Sequence, residues 1–527
     1  MKHIKKILVF SLLAALGLSG CHKDFETKGI PTNKLVASTF YQNPAELRAA
    51  TANLYTTPWW SFNENSQGDF IVYVGELLSG NAVAGNASGP EFTNFSINTG
   101  FVGLDFGWQS LYDVIAQSNT TMLNIQSYGP ASLGASKTQA IGEARFMRAT
   151  AYFYLTQLWG AVPIVENSDD VVKTPLLHSN IQSDVYKFII NDLHYAAQNL
   201  PATDPQAGRV TKWSAEGMLS KVFLTRSGIT GTRVQADLDS AKYWAGDVAN
   251  NSGLSLFPSY YDAFLTANNN NPEMLFGLQF TVAPTAGWGT NDVRETCIEG
   301  DDNIDGVGGG GWDGMAITKD LYDQYAPNDL RRKATFMLNG DVYPELVTAA
   351  NPNGYTMTNA SSAYVKKYVD GGPLANNGAN ITVMHDASPD YLLRLSDVYL
   401  IYAEAILGTQ ASTSDPNALK YFNMIRTRAG LPTATSLTWT DIFKERRLEL
   451  ALEYQFWFDL KRWHDYAPAA ADAFIKAQHR NTFTYNSGAT TESTVLTNVN
   501  PVYYLPYPAA EVSSDPLLSQ APVAYYK

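Results

Sequence analysis

The chain has 527 residues, of which 45% are hydrophobic, so it can bury a sizeable core. Its 50 acidic and 37 basic residues give a net charge of −13, which argues against nucleic acid or a polyanion as the main partner. Only 17% of the residues are charged, whereas 12% are aromatic. Aromatic rings and short polar groups favour neutral, hydroxyl-rich ligands, because rings stack on apolar faces while amides and hydroxyls bind hydroxyl groups.

Residues 1–20 have the features of an export signal. A basic start precedes the apolar run 7–18, which is too short to span a bilayer as a stable helix. Small residues then lead to Cys21, in a pattern that resembles a bacterial lipobox and predicts acylation of that cysteine. An ordinary secretory signal with a chance cysteine is the alternative. Residues 21–40, which are polar, predict a lipidated tether.

Helical periodicity dominates residues 41–250 and 390–466. The predicted helices cover, in chain order, residues 45–55, 106–125, 143–159, 181–200, 215–222, 238–248, 395–406, 416–429 and 440–466. One strand is predicted over 275–280. Paired helices with short connections resemble tetratricopeptide hairpins, although no strict 34-residue repeat is visible. The predicted fold is therefore mainly α, a tetratricopeptide-like scaffold of helix pairs with long loop-rich insertions and a few short strands.

The run 143–163 predicts a helix with one packed face, because small and apolar residues recur at steps of three and four. Arg148 lies inside that stripe. A buried guanidinium stays charged and needs a partner, so the helix predicts a carboxylate elsewhere in the fold.

Glu445, Glu449 and Glu453 would share one face of the helix over 440–466. They could be glycosidase carboxylates, or buried partners for Arg145 and Arg148. We favour ion pairs, because carboxylates stacked along one helix point the same way, whereas glycosidase carboxylates flank a bond from two sides.

Two loop-rich regions, about 56–103 and 250–390, interrupt the helical pattern and predict the ligand-binding part of a single domain over 41–527. Their tryptophans are candidate stacking platforms, and polar residues beside one of them are candidate hydrogen-bond partners; the alternative for each tryptophan is a place in the core. The candidates are Trp59, Trp60, Trp288, Asn291, Asp292, Arg294 and Trp312.

Signatures of catalysis and of metal or cofactor binding are weak. The second cysteine, Cys297, cannot form a disulfide with an acylated Cys21. The acidic run 301–306 resembles half a calcium loop, but its twelfth position is Trp312 instead of Glu, so a polar turn is favoured. We therefore expect no catalytic residue, no metal and no cofactor.

Several segments together resemble the SusD/RagB family of outer-membrane lipoproteins. They are the lipobox with the residues that follow it, 143–163, 393–405, 423–431, 445–463, 505–508 and 515–517. One departure is Tyr454-Gln455, where the family often has a glycine.

The resemblance implies helix pairs that carry a loop-rich remainder and no chemistry. Family members capture glycans, or sometimes peptides, as a lid on a SusC-type TonB-dependent barrel. The expected function is thus a cell-surface lipoprotein that binds a glycan and delivers it to such a transporter. The alternatives are a peptide-capturing member or a glycoside hydrolase that uses Glu449.

Overall fold

The computed structural model describes most of the chain beyond the predicted tether. The described residues are 37–63, 70–84, 89–281, 304, 315–358, 362–367, 369, 381–382, 385–493 and 499–527. The predicted signal peptide and Cys21 lie outside them.

The fold is mainly helical, as predicted. The main helices are α1 (Pro44–Ala52), α2 (Val102–Tyr128), α3 (Ala135–Trp159), α4 (Gln182–Asn199), α5 (Lys212–Arg226), α6 (Gln235–Asn251), α7 (Leu395–Leu407), α8 (Pro416–Arg428), α9 (Trp439–Glu449), α10 (Phe456–Tyr466) and α11 (Pro468–Ala477). Shorter helical segments are Ala37–Phe40, Asn53–Tyr55, Thr57–Trp59, Trp60–Asn63, Phe70–Val72, Tyr73–Leu77, Pro90–Asn94, Ala131–Leu133, Ser168–Lys173, Asp262–Phe264, Thr266–Asn268, Lys319–Gln324, Arg331–Thr335, Ala509–Ser514 and Pro516–Ser519.

The strands are short and lie mostly in the second loop-rich region. They are β1 (Ala82–Ala84), β2 (Met274–Leu278), β3 (Met315–Ile317), β4 (Phe336–Met337), β5 (Val342–Tyr343), β6 (Tyr355–Thr356), β7 (Tyr364–Val365), β8 (Ile381–Thr382), β9 (His385–Asp386), β10 (Asp390–Arg394), β11 (Phe483–Asn486) and β12 (Ala489–Glu492).

From α2 to α8, each main helix packs against the next one in the chain. This sequential packing confirms the predicted scaffold of helix pairs. The periodicity placed the helices well because each buries an apolar stripe against its neighbours. In α4, for example, Val185, Ile189, Leu193 and Ala196 are all fully buried.

Helix α3 lies at the centre of the scaffold instead of packing on one face only. From Ala140 to Trp159 every residue except Arg145 is buried. A helix that is covered all round belongs inside the protein, so the predicted single stripe was too narrow. The helix ends at Gly160, whose φ of 76° suits a residue without a Cβ.

The single helix predicted over 440–466 is wrong, because the structure has two helices there. Between α9 and α10, Leu452 and Tyr454 adopt the left-handed backbone conformation, with φ of 62° and 63°. The backbone N–H of Tyr454 donates to Glu76 Oε1 at 2.7 Å. A contact with a distant segment therefore stabilises the break between the two helices.

Residues 252–394 form an insertion between α6 and α7, two helices that pack on each other. The antiparallel pair of β2 and β10 closes the base of this insertion. Above it, a four-stranded sheet has the order β1–β3–β7–β4 and includes β1 from the first loop-rich region. A small second core beneath the short strands contains Ile304, Met337, Tyr343, Leu346, Tyr355, Met357, Tyr364 and Val369.

The last four residues of the predicted tether 21–40 are described by the structure. Ala37–Phe40 is a helical turn that packs against α2. The ring of Tyr41 then stacks on Tyr128, with centroids 6.4 Å apart, so the chain is already docked by this point.

Candidate ligand-binding site

The two loop-rich regions come together in the structure. Strand β1 of the first pairs antiparallel with β3 of the second, and Ala84 lies opposite Met315. On the other side of the segment 282–314, Gln279 donates its backbone N–H to the carbonyl oxygen of Tyr55, the residue just before the first region, at 3.0 Å. The described residues on both sides of the segment 282–314 are therefore held beside the first loop-rich region.

Trp59 does not face solvent, so the prediction that it is a stacking platform is wrong. Its ring is 1% exposed and packs on Phe62 and Phe276, with centroids 5.7 and 6.4 Å away. Its Nε1–H donates to the carbonyl oxygen of Leu54 at 2.9 Å. The indole satisfies its polar atom inside the core, which is how a buried tryptophan is normally accommodated.

Trp60, its neighbour in the chain, is only partly buried. It begins the short helix Trp60–Asn63, which packs against α2. A helical step of one residue turns the two rings in different directions, so one tryptophan can enter the core while the other points outward.

Trp288, Asn291, Asp292, Arg294 and Trp312 lie outside the described residues. The nearest described residues are Thr281 on one side, Ile304, and Met315 on the other side. Only these anchoring points are described.

Glu76 is a buried acid, close to the first loop-rich region's strand, that the sequence pattern does not predict. It is fully buried in the π-helical turn Tyr73–Leu77, just before β1. Its carboxylate accepts hydrogen bonds from Tyr454 N and from Asn81 Nδ2, the latter at 2.9 Å. Burial raises the pKa of Glu76 to about 7. A single acid within the apolar run 70–78 was the available signal.

Glu449 is buried in an ion network at the base of the insertion. Its carboxylate contacts Arg331 Nη1 at 3.2 Å, Arg394 Nη1 at 3.3 Å, and the guanidinium of Arg428. Burial alone would raise the pKa of Glu449, but these guanidinium groups lower it well below its usual range. The network joins α8, α9 and β10.

Glu453 belongs to the same network. Its carboxylate accepts a hydrogen bond from Lys367 Nζ at 2.8 Å and two more from Nε and Nη2 of Arg394. Arg394 also pairs with Glu273, the residue before β2. The strand pair at the base of the insertion is thus fixed by charges that are themselves buried.

Ion pairing was predicted correctly for Glu449 and Glu453, but the partners were wrong. Arg148 Nε pairs with Asp192 of α4 at 2.7 Å, and Arg145 reaches the same carboxylate at 3.4 Å from a partly exposed position. Asn119 Oδ1 accepts a further bond from Arg148 at 2.7 Å. The correction follows from the packing, because α3 contacts α4.

Comparison with known proteins decides the family. Residues 223–526 match the SusD family, and residues 62–224 match a family described as starch-binding associating with outer membrane. A SusD-like protein of Bacteroides ovatus is 35% identical over 550 residues, which cover 99% of this chain and 98% of that protein. This chain belongs to the SusD family.

Solved structures of SusD-like proteins have the same fold. One crystal structure, determined with a xylogluco-oligosaccharide, is 34% identical with a TM-score of 0.83 and covers 91% of this chain and 99% of that one. A SusD superfamily protein from Parabacteroides distasonis is 21% identical with a TM-score of 0.72, covers 93% of this chain and 99% of that one, and shows the fold alone.

In this SusD family protein, Glu449 is unsuited to the hydrolase chemistry that its spacing allowed. Its side chain is completely buried, and three guanidinium groups keep it deprotonated. A glycosidase acid needs a raised pKa and contact with the scissile bond. Glu449 therefore does not fit the role of a glycosidase acid, and its buried ion pairs account for its charge.

The described part of this SusD family protein contains no cluster of three or more His, Cys, Asp or Glu side chains that could hold a metal. Among the helices of the same residues, none is both long enough and apolar enough to cross a bilayer.

Proposed function

We propose that this SusD family protein captures a neutral oligosaccharide or polysaccharide at the cell surface and passes it to a SusC-type TonB-dependent transporter. A lipid on Cys21 anchors the protein to the outer membrane. The family match that names outer-membrane association supports this location. The relative solved with a xylogluco-oligosaccharide supports a glycan as the ligand class.

The observation that carries the proposal is the convergence of the two loop-rich regions. The β1–β3 pair and the bond between Gln279 and Tyr55 hold their described ends side by side on the helical scaffold. Rings from both regions can then act on one ligand. In this proposal Trp60, Trp288 and Trp312 are the platforms, and Asn291, Asp292 and Arg294 bind sugar hydroxyl groups.

Charge supports a neutral ligand over an acidic one. The net charge of −13 would repel a polyanionic glycan over a distance set by the ionic strength. We expect starch, xyloglucan or laminarin to be bound in preference to pectin or a sulfated polysaccharide.

Affinity gels that contain each of these glycans, followed by calorimetry, test the proposal. Trp60→Ala, Trp288→Ala and Trp312→Ala should each weaken binding about fivefold, since a ring contact contributes about 1 kcal/mol. Tyr128→Ala removes an exposed ring at the end of α2 and is the control. If all three variants bind a confirmed glycan with the affinity of the wild type, the assignment of these tryptophans as stacking platforms is wrong.

The anchor and the delivery step need separate tests. Cys21→Ala should abolish incorporation of labelled palmitate and release the protein from outer membranes. Deletion of the gene should reduce uptake of a labelled oligosaccharide by whole cells. A protein that binds no glycan but still purifies with a TonB-dependent barrel would instead be a peptide-capturing member of the family.

A further inference from the structure

A groove of about 470 Å³ lies on the helical scaffold, formed by α6 and by Tyr402 of α7. Tyr243, Gly246, Asp247, Asn251 and Tyr402 define it here as the α6 groove. All of its lining residues belong to these two helices. The groove therefore lies outside the insertion 252–394 and outside the first loop-rich region.

The floor of the α6 groove depends on a glycine in the middle of a helix. A Cβ at Gly246 would lie 3.0 Å from Cε2 and 3.3 Å from the hydroxyl oxygen of Tyr402. Glycine in a helix interior costs about 1 kcal/mol relative to alanine. Its absence of a side chain lets α7 approach closely and brings the phenol edge of Tyr402 to the floor of the groove.

Tyr243 provides an aromatic ring at the rim of the groove. It is 64% exposed, although it is a large apolar side chain. Its ring meets Trp244 at 83° with centroids 4.9 Å apart, and Trp244 packs in turn against His194 at 5.3 Å. These contacts fix the orientation of the Tyr243 ring while most of it remains in solvent.

Short polar groups surround the ring. Asn251 Nδ2 donates to Asp247 Oδ1, which orients both side chains. Asn250, one turn beyond Gly246, donates to the Gly246 carbonyl oxygen at 2.7 Å and accepts from the hydroxyl of Tyr421 at 2.8 Å. The rim therefore offers amide, carboxylate and phenol groups whose positions are already set.

The charges of the α6 groove are balanced. Lys212 Nζ lies between two carboxylates, 3.2 Å from Glu216 Oε1 and 3.5 Å from Asp247 Oδ2, and burial raises the pKa of Glu216 to about 7. Lys242 lines the same groove as Asp239. A groove without excess charge does not select an ion. One exposed ring beside fixed hydrogen-bonding groups is instead suited to a sugar, which offers an apolar face and hydroxyl groups together.

We propose that the α6 groove is a second binding site for a neutral oligosaccharide, with Tyr243 as its stacking platform and Asp247, Asn251 and the Tyr402 hydroxyl as its polar contacts. The choice of ligand class rests on the proposed function. Two sites on one chain can hold two stretches of the same polysaccharide, which raises retention through effective concentration.

The test uses the full-length chain in detergent and the glycan that retards it most in gels containing starch, xyloglucan or laminarin. Calorimetry with oligosaccharides of that glycan should give two sites for the wild type and one for Tyr243→Ala. For each protein, the mobility in the polysaccharide gel is divided by its mobility in a gel without glycan. This relative mobility should be at least twofold higher for Tyr243→Ala than for the wild type. Tyr128→Ala, another exposed tyrosine, should keep two sites and unchanged migration.

Each outcome separates this site from the loop-rich one. One site in the wild type and an unchanged Tyr243→Ala would overturn the second site and leave the proposed function standing. No binding by the wild type to any of the glycans would overturn both. Gly246→Leu, which fills the floor of the groove, is a second probe, and its melting temperature reports whether the helix pair still packs. A folded Gly246→Leu protein that keeps two sites would also contradict the proposal.

Discussion

At the scale of single residues, Tyr454 shows how a local rule is broken to join distant segments. It is 1% exposed and has a left-handed backbone, which costs of order 1 kcal/mol for a residue with a Cβ. Gly75 lies directly against it, because a Cβ there would be 2.4 Å from Tyr454 Cα. A glycine at this position would relieve the backbone but leave the space of a buried tyrosine empty.

Gly75→Ala should therefore destabilise the protein by at least about 2 kcal/mol, since backbone must move to admit one methyl group. Urea unfolding of the purified protein measures the change. Gly100→Ala is the matched control, because the nearest atom to its added Cβ is a side-chain oxygen at 3.4 Å. Equal stability of the two variants would contradict the close approach.

Glu76 predicts a specific pH dependence. Burial raises its pKa from 4.5 to about 7, so the folded state binds a proton more tightly than the unfolded state. The stabilisation from the protonated Glu76 is therefore complete below pH 4.5 and is lost as the pH rises through about 7. The free energy of unfolding falls by about 3 kcal/mol over this range. Glu76→Gln should flatten the stability curve between these values, whereas Glu91→Gln, a partly buried glutamate nearby, should keep the wild-type slope.

At the scale of elements, the scaffold is held by charges between neighbouring helices as well as by apolar stripes. Arg148 of α3 and Asp192 of α4 have side chains that are 6% and 3% exposed, and two parallel hydrogen bonds join them. A buried pair of this kind is costly to break, because the remaining charge has no water around it.

Asp192→Asn should cost about 3 kcal/mol of unfolding free energy, because it leaves the Arg148 guanidinium buried with a neutral partner. Asp170→Asn is the control, since its pair with Lys173 is about 70% exposed on both sides and should contribute almost nothing. Thermal unfolding monitored by circular dichroism separates the two. A small effect of Asp192→Asn would indicate that Asn119 and water compensate.

Helix periodicity predicted the elements of the scaffold but not their partners. Stripes such as the one in α4 mark a buried face and leave open what covers it, so Arg148 was assigned to the wrong carboxylate. The break after Glu449 also left no local signal, because the contact that imposes it comes from Gly75 and Glu76. Trp59 and Trp60 were indistinguishable in sequence, since only tertiary packing decides which ring turns inward.

At the scale of the whole molecule, buried acids change the pH dependence of stability in two opposite directions. Burial alone would raise the pKa values of Asp397 and Glu404, but paired cations lower both to about 2. Their stabilisation is present above their unfolded pKa values and is lost as the pH falls through about 2. Glu76 and Glu216, whose pKa values burial raises to about 7, destabilise the fold as the pH rises above 4.5.

The melting temperature should therefore be highest near pH 5 and fall on both sides. Calorimetry from about pH 2 to pH 8 at constant ionic strength measures this curve. Removing Glu76 should lower only the slope on the alkaline side, because the acid side depends on Asp397 and Glu404. A melting temperature that rises steadily to pH 8 would contradict these assignments.

The antiparallel pair of β2 and β10 at the base of the insertion, named the clasp here, has an evolutionary consequence. It lets residues 252–394 leave α6 and return to α7 at nearly the same place, since those helices touch. Mutations, insertions and deletions beyond the clasp can accumulate without shifting the register of the scaffold. Exchange of this segment between relatives would therefore change which glycan is bound. A chimaera that carries another family member's residues between positions 273 and 394 should bind the donor's glycan.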